Sequence, residues 1–84
     1  MSLKVEIYGQ EDCRFCVAAV AYCASRSYPF VFLNITDPLV KAELLARAPL
    51  AVTAPQIFIG PHRIGGLLSL RSMDTIIQQL LGGH

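Results

Sequence analysis

The segment Leu3–Cys16, LKVEIYGQEDCRFC, changes its hydrophobic period across one short loop. Leu3, Val5 and Ile7 alternate with Lys4 and Glu6, the two-residue period of a strand with one covered face. Gly9–Asp12 reads as a polar loop. Beyond it Cys16, Val20 and Cys23 recur at helical spacing, and Ala18, Ala19, Ala21 and Ala24 favour a helix. A strand thus feeds a helix, and two cysteines stand at the junction.

The rest of the chain continues the alternation. The first helix is expected to stop before Pro29, because a residue preceding proline avoids the α region. Pro29–Ile35, PFVFLNI, is aromatic and β-branched, which predicts a strand buried on both faces. Asp37 is predicted to cap a helix with Pro38 in its first position and Val40, Leu44 and Leu45 as its apolar stripe; Pro49 lies beyond its end. Gln56–Ile59 reads as a strand, Gly60-Pro61-His62 as a turn and Arg63–Gly65 as a short returning strand. A last helix runs from about Leu67 or Ser69 to Leu81, with Leu70, Met73, Ile77 and Leu80/Leu81 at helical spacing, and Gly82-Gly83 ends it. The order is β-α-β-α-β-β-α, an α/β fold with three helices on the two faces of a four-stranded mixed sheet. The first two strands are expected to be parallel and the closing hairpin antiparallel.

Composition bounds the function. The chain has 84 residues, 54% hydrophobic and only 15% charged, against about 25% charged in ordinary soluble proteins. One domain spanning residues 1–84 is expected. High hydrophobicity at a net charge of +1 excludes a disordered chain. Seven basic residues balanced by six acidic ones, with no basic run, argue against nucleic acid as a partner. A membrane span needs about 18 apolar residues, and the longest uncharged stretch, Ala48–His62, carries Pro49, Pro55 and Pro61. Glu6, Glu11 and Asp12 precede the apolar run Phe15–Ser25, where a secretory leader would be basic, so a cytoplasmic location is expected. Three cysteines also fit no even-numbered disulfide scaffold.

The chemistry is concentrated in Cys13 and Cys16. A thiol opening a helix faces unpaired backbone N–H groups and the positive end of the helix dipole, both of which favour thiolate, the nucleophile of disulfide exchange. Arg14 acts in the same sense; Glu11 and Asp12 oppose it. Cys16, one turn later and deeper, is placed to close a disulfide, so that Cys13 attacks and Cys16 resolves. The competing use of such a pair is half of a zinc site, with Cys23, His62 and His84 as the remaining candidate ligands. Cys23 lies about 10 Å further along the helix at roughly 1.5 Å per residue, too far to share a metal with the pair. Cys23 is read as core filling and the two histidines as solvated. No metal site is expected.

Three segments in order, Tyr8–Cys16 (YGQEDCRFC), Thr53–Gly60 (TAPQIFIG) and Ile64-Gly65-Gly66, resemble a glutaredoxin, a compact bacterial or phage-type member of the thioredoxin-fold superfamily, over nearly the whole chain. The resemblance implies dithiol oxidoreductase activity through Cys13 and Cys16, with glutathione as reducing co-substrate and no permanently bound cofactor. It implies disulfide-bearing proteins, ribonucleotide reductase among them, as partners of a monomer. It makes Pro55 a cis proline beside the cysteines, leaving the Ala54 backbone free to pair with a bound peptide. The implied glutathione contacts are Phe15, Thr53, Ala54, Pro55, Gly66 and Leu67.

The chain departs from the family pattern at several places. Arg14 and Phe15 replace Pro-Tyr between the cysteines, and Gln10 replaces a lysine, leaving Arg14 and Arg63 as candidate substitutes for that cation. Leu68 and Ser69 stand where acidic residues normally hold the γ-glutamyl ammonium; losing such a contact costs about 1.5–3 kcal/mol. Phe15, Ala54, Leu67 and Leu68 are therefore expected to form an apolar border to the reactive sulfur. Two further readings stay open: a redoxin recharged by thioredoxin reductase, and an iron–sulfur or metal carrier in which two chains each contribute Cys13 beside two glutathiones. The bulk of Arg14 and Phe15 opposes the carrier.

Overall fold

Alternation along the first strand sorts its side chains to two faces and thereby divides the core. In the computed structural model, which describes residues 3–82, β1 (Val5–Gly9) sends Val5 and Ile7 to one face and Glu6 and Tyr8 to the other. The elements that follow are α1 (Arg14–Ser25), β2 (Phe30–Asn34), α2 (Pro38–Arg47), β3 (Gln56–Ile59), β4 (His62–Gly65), α3 (Leu67–Ser72) and α4 (Asp74–Leu80). The sheet order is β2-β1-β3-β4. β1 pairs parallel with β2 and antiparallel with β3, and β3 and β4 form the antiparallel hairpin.

The larger core joins Val5, Ile7, Ile57 and Ile59 of the sheet to Ala19 and Cys23 of α1, Leu70 of α3 and Ile77 of α4. The opposite face is smaller: Tyr8 and Phe58 meet edge to face, with ring centroids 5.7 Å apart, and Leu44 of α2 covers them. Asp37 caps α2 as expected, accepting from the Leu39 N–H at 2.9 Å. Arg47, at the end of α2, lies 4.1 Å above the Phe58 ring and donates to Glu6 at 2.9 Å, to the Tyr8 hydroxyl and to the Gly60 carbonyl. One guanidinium thus ties α2 to β1 and to the β3–β4 turn.

Three expectations need correction. β2 packs on both faces, Phe30 and Phe32 against the larger core and Leu33 against the smaller, but it is an edge strand with only β1 beside it, and every one of its residues is half-buried rather than buried. Leu45 does not join the stripe of α2; it is 38% exposed, because the helix meets the sheet along the single ridge Val40, Leu44 and Ala48. The expected last helix is two, making four helices among the described residues.

The break between α3 and α4 has an identifiable cause. Met73 leaves helical geometry (φ −111°, ψ 30°) and packs against the core, while the Asp74 carboxylate is taken up by residues of α1 and the turn after it. Tyr22 donates to it at 2.8 and 2.9 Å, Tyr28 at 2.6 Å, and Arg26 pairs with it. That anchor sets the start of α4 independently of α3. Leu81 caps α4, and Gly82 follows with a φ of +79°. Gly83, expected to help end this helix, and His84 lie outside the described residues.

The Tyr28 hydrogen bond, assisted by Tyr22 and Arg26, holds the Asp74 carboxyl below its ordinary range. A lowered folded value stabilises the fold above that range and ceases to do so as pH falls through it. Thermal melts of Asp74→Asn should therefore show a lower Tm than wild type at neutral pH. The gap should close as pH falls below the ordinary carboxylate range, where the wild-type carboxyl is also protonated.

Candidate active site

β1 delivers the chain to the cysteines through a tight turn in which the Cys13 N–H donates to the Gln10 carbonyl at 3.3 Å. Cys13 is the N-cap of α1, with extended backbone (φ −89°, ψ 118°). Its sulfur does what a serine or aspartate oxygen does at most helix starts: Sγ accepts the Cys16 N–H at 3.2 Å. No acidic residue occupies the first turn of α1. Cys13 Sγ is partly exposed and lies 3.9 Å from the Ala54 carbonyl oxygen.

Cys16 differs from it in every respect. It has no exposed surface and sits against Gly9, so close that a Cβ at Gly9 would come within 2.5 Å of Cys16 Sγ. Burial, reinforced by the hydrogen bond with Cys13, pushes the Cys16 thiol up to about 11. Cys23 is also fully buried, within the larger core, and burial alone pushes it up to about 11. Of the three sulfurs, only Cys13 is accessible. Among the described residues no group of three or more His, Cys, Asp or Glu side chains is arranged to hold a metal, and no helix is long and apolar enough to cross a membrane. His62 is exposed on β4, and His84 falls outside the described residues.

Beside Cys13 runs a groove of about 530 Å³. The structure brings Phe15, Thr53, Ala54, Pro55, Gly66 and Leu67 together as its lining, and adds Leu68, Ser69 and Arg71. The Ala54–Pro55 peptide bond is cis. Phe15 and Leu68 wall the groove while remaining 58% and 80% exposed, the apolar border expected from the sequence. The Thr53 end is held from below. The buried Gln56 amide donates to the Thr53 carbonyl at 2.9 Å and to its hydroxyl at 3.1 Å, and accepts from Arg63 at 2.9 Å.

Sequence reasoning missed three features here. Gly9, which the sequence places in the loop, is the last residue of β1, and its missing side chain makes room for Cys16. The Gln56–Arg63 pair was not foreseen, since it joins two strands across a register irregularity in the hairpin. Arg71 is the cation lining the groove, whereas the expected substitutes Arg14 and Arg63 do not line it. A signal for Arg71 was available: it stands four residues after Leu67 and three after Leu68, on the same helix face.

Comparison with known proteins agrees with this geometry. The glutaredoxin family model matches residues 5–64. The chain is 37% identical over 72 residues to glutaredoxin 3 of Escherichia coli strain K12, covering 86% of this chain and 87% of that protein. The solution structure of glutaredoxin from Brucella melitensis, 30% identical, superposes with a TM-score of 0.73 over 95% of this chain and 89% of its own. A buckwheat glutaredoxin solved in complex with glutathione shares the fold, with a TM-score of 0.77 at 19% identity over 95% of this chain and 77% of that one.

The approach of Gly9 to Cys16 is directly testable. Gly9→Ala forces a methyl group into a closed contact and should cost about 1–3 kcal/mol in denaturant unfolding, as overpacking does. Removing the obstructing sulfur relieves the shortest contact, so Gly9→Ala combined with Cys16→Ala should lose less than the sum of the single substitutions.

Proposed function

Because the chain belongs to the glutaredoxin family of thiol–disulfide oxidoreductases, we propose that it reduces disulfides through Cys13 and Cys16 with glutathione as the electron source. The observation that carries this reading is the placement of Cys13. Its sulfur is the exposed one of the pair, accepts a backbone N–H at the start of α1, and lies beside a groove suited to an extended peptide.

For a glutathione mixed disulfide, the Cys13 thiolate attacks the glutathionyl sulfur. The Cys13–glutathione bond forms, the original S–S bond breaks, and the departing thiolate takes a proton from solvent. A second glutathione, as thiolate, attacks the bound glutathionyl sulfur; oxidised glutathione leaves and the Cys13 thiolate returns. The Cys16 N–H stabilises the charge that Cys13 carries as nucleophile and then as leaving group.

For a protein disulfide, Cys13 first forms a mixed disulfide with one substrate sulfur and the other leaves as a thiolate. Cys16 then gives up its proton and attacks Cys13 Sγ, which releases the reduced substrate and leaves a Cys13–Cys16 disulfide. Two glutathiones restore the dithiol and depart as oxidised glutathione. The burial that holds Cys16 protonated at neutral pH keeps it from acting as a second, competing entry point.

The groove supports the glutathione half of the cycle. Thr53, Ala54 and Pro55 line it with the backbone around a cis peptide bond, Gly66 and Leu67 lie beside Pro55, and Phe15 adds an apolar surface. Disulfide-bearing proteins are the other substrates, met across the exposed side chains of Phe15 and Leu68.

A glutathione-coupled assay on a small mixed disulfide tests the assignment. Wild type should turn over and Cys13→Ser should be inactive. Cys16→Ser should keep activity on the mixed disulfide yet lose roughly an order of magnitude or more on a protein disulfide. Activity with thioredoxin reductase but none with glutathione would overturn the choice of reductant.

A selective alkylation experiment checks the sulfur assignment separately. Iodoacetamide at neutral pH should label Cys13 first. Labelling of Cys16 and Cys23 should become appreciable only as pH rises toward about 11, in line with their raised values.

A further inference from the structure

The groove beside Cys13 has an unusual charge complement. Among its lining residues Arg71 is the single charged side chain; Phe15, Leu67 and Leu68 are apolar and Ser69 is neutral. Each of the six acidic residues of the chain is placed elsewhere. Glu6 pairs with Arg47, and Glu43 accepts from Tyr8, both on the α2 face. Asp37 caps α2, and Asp74 is held by Tyr22, Tyr28 and Arg26. Glu11 lines a separate cavity with Gln10 and Val17, and Asp12 is exposed in the turn before Cys13. Among the described residues Arg71 has no ion-pair partner, so its guanidinium is available to a ligand.

Consider what this does to the γ-glutamyl end of glutathione, whose α-carbon carries a carboxylate and an ammonium together. A guanidinium attracts the first and repels the second, and it offers the paired N–H donors that fit a carboxylate. With no anion in the lining, the ammonium has nothing to pair with. Leu68, exposed at the rim, offers it only an apolar surface.

We propose that this groove selects its thiol co-substrate by an anionic end group held by Arg71 and gives no credit to an ammonium beside it. The co-substrates are thus small thiols ending in a carboxylate, with or without an α-amine, rather than glutathione alone. This rests on the reading that the groove receives the glutathione thiol. Arg71 acts as a specificity residue and takes no part in the sulfur chemistry.

Three mixed disulfides built on the same cysteinylglycine test it: glutathione itself, the deaminated glutaryl analogue and the decarboxylated 4-aminobutyryl analogue. The wild type should use the glutaryl compound with a KM equal to or up to about threefold below that of glutathione. The aminobutyryl compound should have a KM about tenfold higher, as expected for loss of a charge-assisted contact. Arg71→Gln should erase the difference between the analogues, and Arg71→Lys should keep their order. Leu68→Asp should shift preference toward the compounds that carry the ammonium. Because Arg71 is exposed on α3, these changes leave the core untouched.

A wild-type enzyme that favours glutathione over the glutaryl analogue by about tenfold overturns the proposal, as does an unchanged analogue order in Arg71→Gln. Both results would leave Cys13 chemistry standing. If Cys13 exchanges with none of the three disulfides, while dithiothreitol still reduces the Cys13–Cys16 disulfide, the glutathione reading fails and takes this inference with it.

Discussion

The active end of this fold depends on one steric fact: the last residue of β1 has no side chain. Gly9 lets the sulfur of Cys16 occupy the volume that a Cβ would fill, so the first turn of α1 rests directly on the end of the central strand. Phe32 of β2 closes the same contact from the side. The burial of Cys16, and with it the raised proton affinity of its thiol, follows from that seat. Cys13 is then left partly exposed, with its sulfur on a backbone N–H and 3.9 Å from the carbonyl of Ala54, which lines the groove. Two chemically identical residues three positions apart are thereby made unequal, by packing more than by any neighbouring charge.

Two polar hubs hold the frame around that seat. Arg47 spans α2, β1 and the β3–β4 turn on one face, stacked on Phe58 and shared among three oxygen acceptors. Asp74 gathers Tyr22, Arg26 and Tyr28 at the other end of α1. Neither touches the cysteines. Each fixes an element that does: Arg47 anchors the helix preceding the Thr53–Pro55 loop, and Asp74 anchors α1 far from its reactive start. A small domain buries a limited fraction of its surface, so such tethers carry more of its rigidity than they would in a larger one.

Much of this was legible in the chain. The period change at Gly9–Asp12 located the first strand and helix, Asp37-Pro38 located the start of α2, and the apolar run Gln56–Ile59 coincides with β3. Local chemistry sets those features, so local sequence reveals them. What escaped is set by tertiary partners. The split after Ser72 depends on three side chains nearly fifty residues upstream, to which no helical periodicity points. The half-buried state of β2 depends on its position at the sheet edge, whereas its composition suits a central strand just as well. At the site, the residues expected at the groove from family likeness do share one lining, but Arg71 joins them through the tertiary placement of α3 beside Phe15, which local sequence does not reveal.

The cap on α1 has a consequence of its own. A serine or aspartate in that position would keep its oxygen available whatever the redox conditions. Here the capping atom is the sulfur that changes its bonding. Once joined to another sulfur it is a neutral disulfide sulfur, a weaker acceptor for the Cys16 N–H than a thiolate would be. The start of α1 is therefore better secured when electrons are present than when they have been given away. Helix start and reactive sulfur are thus held by one and the same contact.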